Sequence, residues 1–144
     1  MTPDVNVLVA ASRDDHIHHA VARRWLLGAV GNGASPFRLF PAVVAGFLRV
    51  STNPRVFRQP TPVADALSFI EALLAQPGVE MIGHAAGEWP ALRELCRAGN
   101  LSGNAVPDAW LAAAVAHANE HLVTLDRGFR PLLRRPQLTV LPTT

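Results

Sequence analysis

Short runs of β-branched residues alternate along this sequence with longer segments in which apolar residues recur at helical spacing. Strands that are separated by helices run parallel, because each return along the chain needs a crossover connection. The alternation therefore predicts an α/β fold of three layers, with a central parallel sheet flanked by helices. We predict strands over residues 4–10, 37–40, 79–82, 122–125 and 138–141, and helices over residues 20–27, 42–50, 63–75, 86–98, from Pro107 onward and over 129–133.

Length and composition restrict the class of protein. The 144 residues fit one domain, which we assign to residues 1–144. No apolar run approaches the roughly 18 to 20 residues that span a bilayer, and Cys96 is the single cysteine. The first residues lack the basic segment of a secretion signal. We therefore expect a soluble, cytoplasmic protein without a membrane partner.

All 13 basic residues are arginine, although the net charge is only +2. One explanation is genome composition, because proteins that are rich in alanine are often rich in arginine as well. The other is functional, because guanidinium groups bind phosphate through two parallel hydrogen bonds and stack on bases. Arg55, Arg58 and Arg127 are the candidates for contact with a nucleic acid backbone, and the loop that carries the first two is equally compatible with a solvated loop or a protein contact.

Three aspartates stand next to apolar segments that would hold them rigidly. Asp4 opens the first apolar run, Asp108 lies in the first turn of a predicted helix, and Asp126 follows a predicted strand. Each position alone suits a capping or turn residue. Together the three carboxylates provide the oxygen ligands that Mg²⁺ or Mn²⁺ prefers, and metal-assisted hydrolysis needs only a few of them.

The other motifs in the sequence are weaker evidence for a functional site. His16, His18 and His19 lack the second ligand cluster that a zinc site needs, so we interpret them as a solvated helix entry. A nucleotide-binding domain is disfavoured because no glycine-rich phosphate loop is present. Trp110 is the only aromatic residue close enough to a candidate aspartate to stack on a base, although its helical spacing favours the core or an interface.

Several segments resemble the PIN domain, and more closely the VapC-type toxin ribonucleases of bacterial toxin–antitoxin pairs. The segments are DVNVL at 4–8, GNAVPDAWLAA at 103–113 and TLDRGF at 124–129, with FLR at 47–49 and TNPRVF at 52–57. They occur in the family's order and spacing and are distributed over nearly the whole chain. The resemblance implies a PIN-like fold and an Mg²⁺- or Mn²⁺-dependent endoribonuclease that cleaves RNA.

The resemblance also assigns roles. Asp4, Asp108 and Asp126 would bind the metal directly or through water, the Thr124 hydroxyl would support the cluster, and Asn6 would orient Asp4. The expected partners are the RNA substrate, a cognate antitoxin whose tail covers the acidic site, and a second copy of the chain in a homodimer.

One position departs from the family pattern. A glutamate usually occurs early in the helix after the second strand, and Gly46 stands there in this sequence. No acidic residue occurs between Asp15 and Asp65 that would replace it. The alternative hypothesis is therefore a catalytically weak or inactive PIN-like module that binds RNA or a protein partner.

Overall fold

The structure is a computed structural model that describes residues 1–31, 33 and 35–143. Within these residues, five parallel strands and six α-helices confirm the predicted α/β fold with a central parallel sheet flanked by helices. None of the described helices is long and apolar enough to cross a membrane. The strands are β1 (Thr2–Pro3), β2 (Phe37–Leu39), β3 (Val79–Met81), β4 (Leu122–Thr124) and β5 (Leu138–Val140), and the helices are α1 (Val5–Ser12), α2 (His19–Gly31), α3 (Pro41–Ser51), α4 (Val63–Leu74), α5 (Trp89–Gly99) and α6 (Ala105–His117).

The strands form two hydrogen-bonded groups, β1–β4–β5 and β2–β3. The backbone N–H of Arg38 donates to the Met1 carbonyl at 2.9 Å, which places β2 beside β1. The strands therefore lie in the order β3, β2, β1, β4, β5. Because all pairs are parallel, the strands end at one edge of the sheet, where sites form in open α/β folds.

The prediction of a strand over residues 4–10 is wrong. The strand is β1, which ends at Pro3, and the apolar run that follows is helix α1. Residues Val7 through Ala11 of this helix are all buried, so the run shows no alternation between an apolar and a polar face. A short, uniformly buried helix cannot be told from a buried strand by periodicity alone. The correction places Asp4 at the carboxyl end of β1 instead of at the start of a strand.

Three further boundaries differ from the predictions. Helix α2 continues through Gly28, since glycine in a helix interior is unfavourable by only about 1 kcal/mol. Helix α6 begins before Pro107, which is tolerated because N–H groups of the first turn need no intrahelical partner. The predicted helix 129–133 is instead a single 3₁₀ turn over Arg127–Phe129. The turn residues at 31–36 also predict a loop, and two of them, Asn32 and Ala34, lie outside the described residues.

Helices α1 and α6, which have Asp4 and Asp108 at their N-terminal ends, are the most deeply buried helices of the domain. Helix α1 buries Val7 through Ala11, and α6 buries Leu111 through Val115. Phe37, Phe40, Phe47 and Phe129 fill the core around them. The first turns of α1 and α6 are therefore attached to the rigid interior of the domain, which restricts where Asp4 and Asp108 can move.

Candidate active site

Asp4 joins β1 to α1 and is nearly buried, with 6% of its surface exposed. One carboxylate oxygen accepts the backbone N–H of Val5 at 2.7 Å, which caps the helix. The other oxygen accepts the Thr124 hydroxyl at 2.7 Å. The contact follows from the strand register, because Pro3 of β1 lies opposite Val123 of β4. Asp4 is thus held in one orientation by the backbone and by the adjacent strand.

Thr124 connects the acidic residues from the end of β4. Its hydroxyl donates to Asp4 and accepts the backbone N–H of Asp126 at 3.0 Å. Asn6 donates from its amide nitrogen to the same hydroxyl at 3.2 Å and accepts the Leu125 N–H at 3.1 Å. The side chain of Asn6 therefore contacts Asp4 through Thr124.

Asp126 and Asp108 complete the set from two other elements. Asp126 follows β4 and accepts the Gly128 N–H at 2.7 Å, so it also caps the 3₁₀ turn. Asp108 lies in the first turn of α6. The capping roles considered for these aspartates from the sequence are present at Asp4 and Asp126. These capping roles do not exclude a shared site, because a carboxylate oxygen that accepts one hydrogen bond keeps a further lone pair for another contact.

The carboxylates act on one another electrostatically. Burial, together with the charges of Asp4 and Asp126, raises the pKa of Asp108 to about 6. Burial also raises the pKa of Asp4, against the hydrogen bonds from Thr124 and Val5, and the charge of Asp126 adds to the increase. Repulsion of this kind stabilises a cation between the carboxylates.

One cavity of about 980 Å³ is lined by all three aspartates and by Asn6. Arg49 of α3 and Trp110 of α6 line it as well. The described lining does not include Arg55, Arg58 or Arg127, which are exposed elsewhere. The predicted nucleic acid contacts of these three arginines stay predictions, and Arg49 is the arginine in the described lining of the cavity.

The donor atoms fit a hard divalent cation. In the described part of the chain, no three His, Cys, Asp or Glu side chains are already gathered as a cation site. Both oxygens of Asp4 and one oxygen of Asp126 accept hydrogen bonds. Mg²⁺ is usually held by one or two carboxylates and keeps several waters, so this set suits an ion bound partly through water.

Gly46 is explained by close packing between α1 and α3. A Cβ atom at this position would lie 2.7 Å from Cγ2 of Val5, which is closer than real Cβ contacts allow. Val5 directly follows Asp4, so its branched side chain occupies the space beside the acidic set. A glutamate at position 46 would therefore displace Val5.

Sequence reasoning missed two buried polar groups around the cavity. Arg13 stacks on the Phe57 ring at 3.8 Å and donates to the Thr61 hydroxyl and the Gln59 carbonyl, which fixes the loop after α3. Glu88 is 3% exposed and accepts a hydrogen bond from Trp110. The i,i+4 spacing of His84 and Glu88 was the available signal for the second group, whereas nothing in the sequence marked Arg13 as buried.

The raised pKa of Asp108 predicts a pH dependence of stability in a chelator. Between the ordinary pKa and about 6, the folded state binds more protons than the unfolded state, so the free energy of unfolding falls as pH rises. Burial lowers the pKa of His16, which acts in the opposite sense. We therefore expect Asp108→Asn to be more stable than the wild type at about pH 7, and this difference to shrink steadily as the pH falls from about 6 towards the ordinary pKa of 3.8.

Urea unfolding in EDTA over this pH range measures this difference. His16 contributes equally to the free energy of unfolding of the wild type and of the variant, so its contribution cancels in the difference between them. If the difference in free energy of unfolding between the wild type and Asp108→Asn stayed constant with pH, the raised pKa of Asp108 would be contradicted.

Comparisons with known proteins place the chain among relatives of stated activity. The PIN domain model matches residues 1–132. The chain is 42% identical to Ribonuclease VapC25 of Mycobacterium tuberculosis over 129 residues, which cover 88% of each chain. It is 42% identical to VapC ribonuclease Mb2897 of Mycobacterium bovis, over 88% of this chain and 85% of the relative.

Two solved structures share the fold. VapBC2 from Rickettsia felis, bound to a promoter DNA fragment, matches with a TM-score of 0.67 at 20% identity, over 98% of each chain. VapC20 of M. tuberculosis, described as a toxin that cleaves the sarcin–ricin loop, matches with a TM-score of 0.61 at 17% identity, over 84% of this chain and 85% of that one.

Proposed function

This chain belongs to the PIN-domain family, and on that basis we propose that it is a metal-dependent endoribonuclease toxin of a type II toxin–antitoxin pair. The observation that carries the proposal is the cavity at the strand ends that Asp4, Asp108 and Asp126 share. The relatives named as VapC ribonucleases support RNA as the substrate.

The proposed chemistry is hydrolysis of a phosphodiester bond. Mg²⁺ or Mn²⁺, when bound, supplies Lewis-acid polarisation of the phosphate and makes water more acidic. Asp4, Asp108 and Asp126 would hold the ion, and one of these carboxylates would accept the proton of the attacking water. Thr124 and Asn6 would keep Asp4 oriented through their hydrogen bonds. Arg49, on the wall of the same cavity, would bind a substrate phosphate.

Incubation of the purified protein with RNA tests this function directly. We expect cleavage at mapped internal sites in the presence of Mn²⁺ or Mg²⁺ and no cleavage in EDTA. Cleavage that is undiminished in EDTA would contradict metal dependence, and intact RNA at all metal concentrations would contradict the enzyme.

Metal addition should also stabilise the protein. Because the carboxylates repel one another, a cation should bind the folded chain and raise its free energy of unfolding by about 2.7 kcal/mol at a hundredfold excess over Kd. Thermal unfolding with increasing Mn²⁺ and calorimetric titration measure this effect. An Asp126→Asn variant should show a smaller shift, and an equal shift in both proteins would place the ion elsewhere.

Gly46 favours a second candidate function. The close contact with Val5 leaves no space for the family's glutamate, so the site has one carboxylate fewer than the family pattern. A catalytically weak or inactive module that binds RNA or a protein partner would follow if this loss prevents metal binding. RNA binding without Mn²⁺ binding near physiological concentrations would favour this candidate over the enzyme.

We also propose a cognate antitoxin and a homodimer. The fold shared with the Rickettsia felis VapBC2 structure supports the first, and the second follows from the family resemblance only. Coexpression with the product of a short neighbouring reading frame should suppress growth arrest, and size-exclusion chromatography with light scattering should give the mass of two chains.

A further inference from the structure

Trp110 is an aromatic side chain of the acidic cavity that the proposed chemistry does not use. It follows Asp108 in α6 by less than one helical turn, lines the same cavity and keeps 36% of its surface exposed. A tryptophan that only filled the core would be covered by neighbouring side chains. Trp110 instead presents part of its indole to the space in which the substrate would lie.

The side chains of Glu88 and His84 hold this indole in place. Its Nε1–H donates to a carboxylate oxygen of Glu88 at 2.9 Å, and the ring stacks on His84 with centroids 4.1 Å apart. The same Glu88 oxygen lies 3.0 Å from Nδ1 of His84, and the other Glu88 oxygen accepts the Ala85 N–H at 3.0 Å. With Glu88 only 3% exposed, these contacts fix the orientation of Trp110 before any ligand arrives.

We propose that Trp110 is a stacking platform for an RNA base beside the scissile phosphate, an inference that rests on the proposed ribonuclease function. In the proposed chemistry the bound ion and Arg49 act on the phosphate, so neither of them holds the base of the nucleotide beside it. Stacking on a fixed aromatic ring provides a contact to the base and tolerates different bases. Glu88 and His84 are positioning residues, since they act on the base only through Trp110.

The stacking platform predicts that the protein prefers single-stranded RNA as its substrate. A base can lie against the indole only when it is unpaired and turned out of a helix. Apolar residues with exposed surface also line the cavity, including Val56 and Val106, and they would contact the faces and edges of further unpaired bases.

Binding to a short single-stranded RNA that contains the mapped cleavage site tests the platform. Measurements use the Asp126→Asn background with Mg²⁺, so that the RNA stays intact. Trp110→Ala should weaken binding on the order of 5- to 150-fold, whereas Trp110→Phe should retain most of the affinity. Trp89→Ala is the matched control, because Trp89 is 60% exposed and lies outside the described cavity lining.

A second measurement does not depend on the stability of the alanine variant. In the Asp126→Asn protein with Trp110 intact, RNA should quench the tryptophan fluorescence, and this quenching should disappear in Trp110→Phe. RNAs that lack one base at successive positions should identify a single position at which quenching and affinity are both lost. Glu88→Gln, which keeps a hydrogen-bond acceptor, should bind RNA more tightly than Glu88→Leu.

The outcomes separate the inference from the function on which it rests. A wild-type protein that neither binds nor cleaves RNA would overturn the proposed function. A wild-type protein that cleaves RNA, together with unchanged affinity in a folded Trp110→Ala variant or no quenching at any position, would overturn the platform alone.

Discussion

Replacement of Asp108 by asparagine is expected to reduce RNA cleavage by on the order of 100-fold or more while the protein stays folded. The substitution removes a carboxylate from the cavity and preserves the shape of the side chain. Because burial and the charges of Asp4 and Asp126 disfavour the ionised form, the variant should be at least as stable as the wild type at neutral pH. Loss of activity with retained stability is the signature of a functional residue.

Asp65→Asn provides the matched control for this experiment. Asp65 also lies in the first turn of a helix, α4, but it is exposed and lies outside the described lining of the cavity. Cleavage rates and thermal unfolding are measured for both variants. Equal cleavage rates in the wild type and in Asp108→Asn would remove Asp108 from the site.

The other two aspartates extend the test. Asp4→Asn retains an oxygen acceptor for only one of the two hydrogen bonds that Val5 and Thr124 donate to Asp4, and it should lose cleavage as well. Asp126→Asn should behave similarly, with its contact to Gly128 preserved. Full activity in any two of the three asparagine variants would contradict the proposed site.

The order of elements and the convergence of the aspartates were accessible from sequence for a physical reason. The short strand runs at 37–40 and 122–125 and the helices between them differ in length and in the spacing of their apolar residues, so their alternation identifies a parallel sheet. A parallel sheet gathers strand ends at one edge, which brings Asp4 and Asp126 together once β1 is placed before Asp4. The error over residues 4–10 arose because uniform burial removes the periodicity on which the assignment depends.

Contacts between segments that are distant in the chain could not be predicted from the sequence. The hydrogen bond between Thr124 and Asp4 joins residues at opposite ends of the chain and depends on the register of two strands. The anchoring of Trp110 by Glu88 depends on how α5 and α6 pack. Arg55 and Arg58 were selected from the sequence by their charge, whereas the fold places Arg49 on the cavity wall. Which arginine lines the cavity depends on how the helices and loops pack, and charge alone does not reveal it.

Gly46 leads to the second large expected effect. Gly46→Glu should destabilise the protein by about 1–3 kcal/mol, because its Cβ would overlap with Cγ2 of Val5 in a packed interface between α1 and α3. The gain in helix propensity on replacing glycine opposes this by about 1 kcal/mol at most. The clash should therefore determine the sign. Gly28→Ala is the control, since a Cβ at Gly28 meets nothing within 4 Å and α2 should be stabilised.

A double-mutant cycle identifies the cause. If Val5 is the obstacle, Val5→Ala should rescue Gly46→Glu, with a coupling of about 0.5–3 kcal/mol between the two positions in urea unfolding. Independent, additive effects would contradict the contact.

The same pair of variants connects packing with function. A glutamate admitted beside Asp4 adds a carboxylate to the cavity, so Val5→Ala/Gly46→Glu should bind Mn²⁺ more tightly than Val5→Ala alone in calorimetric titration. Tighter binding would show that the contact between α1 and α3 limits the metal affinity of this chain. Unchanged affinity would mean that three aspartates already suffice, because a further oxygen ligand at the same cavity adds to binding only where the ion lacks one.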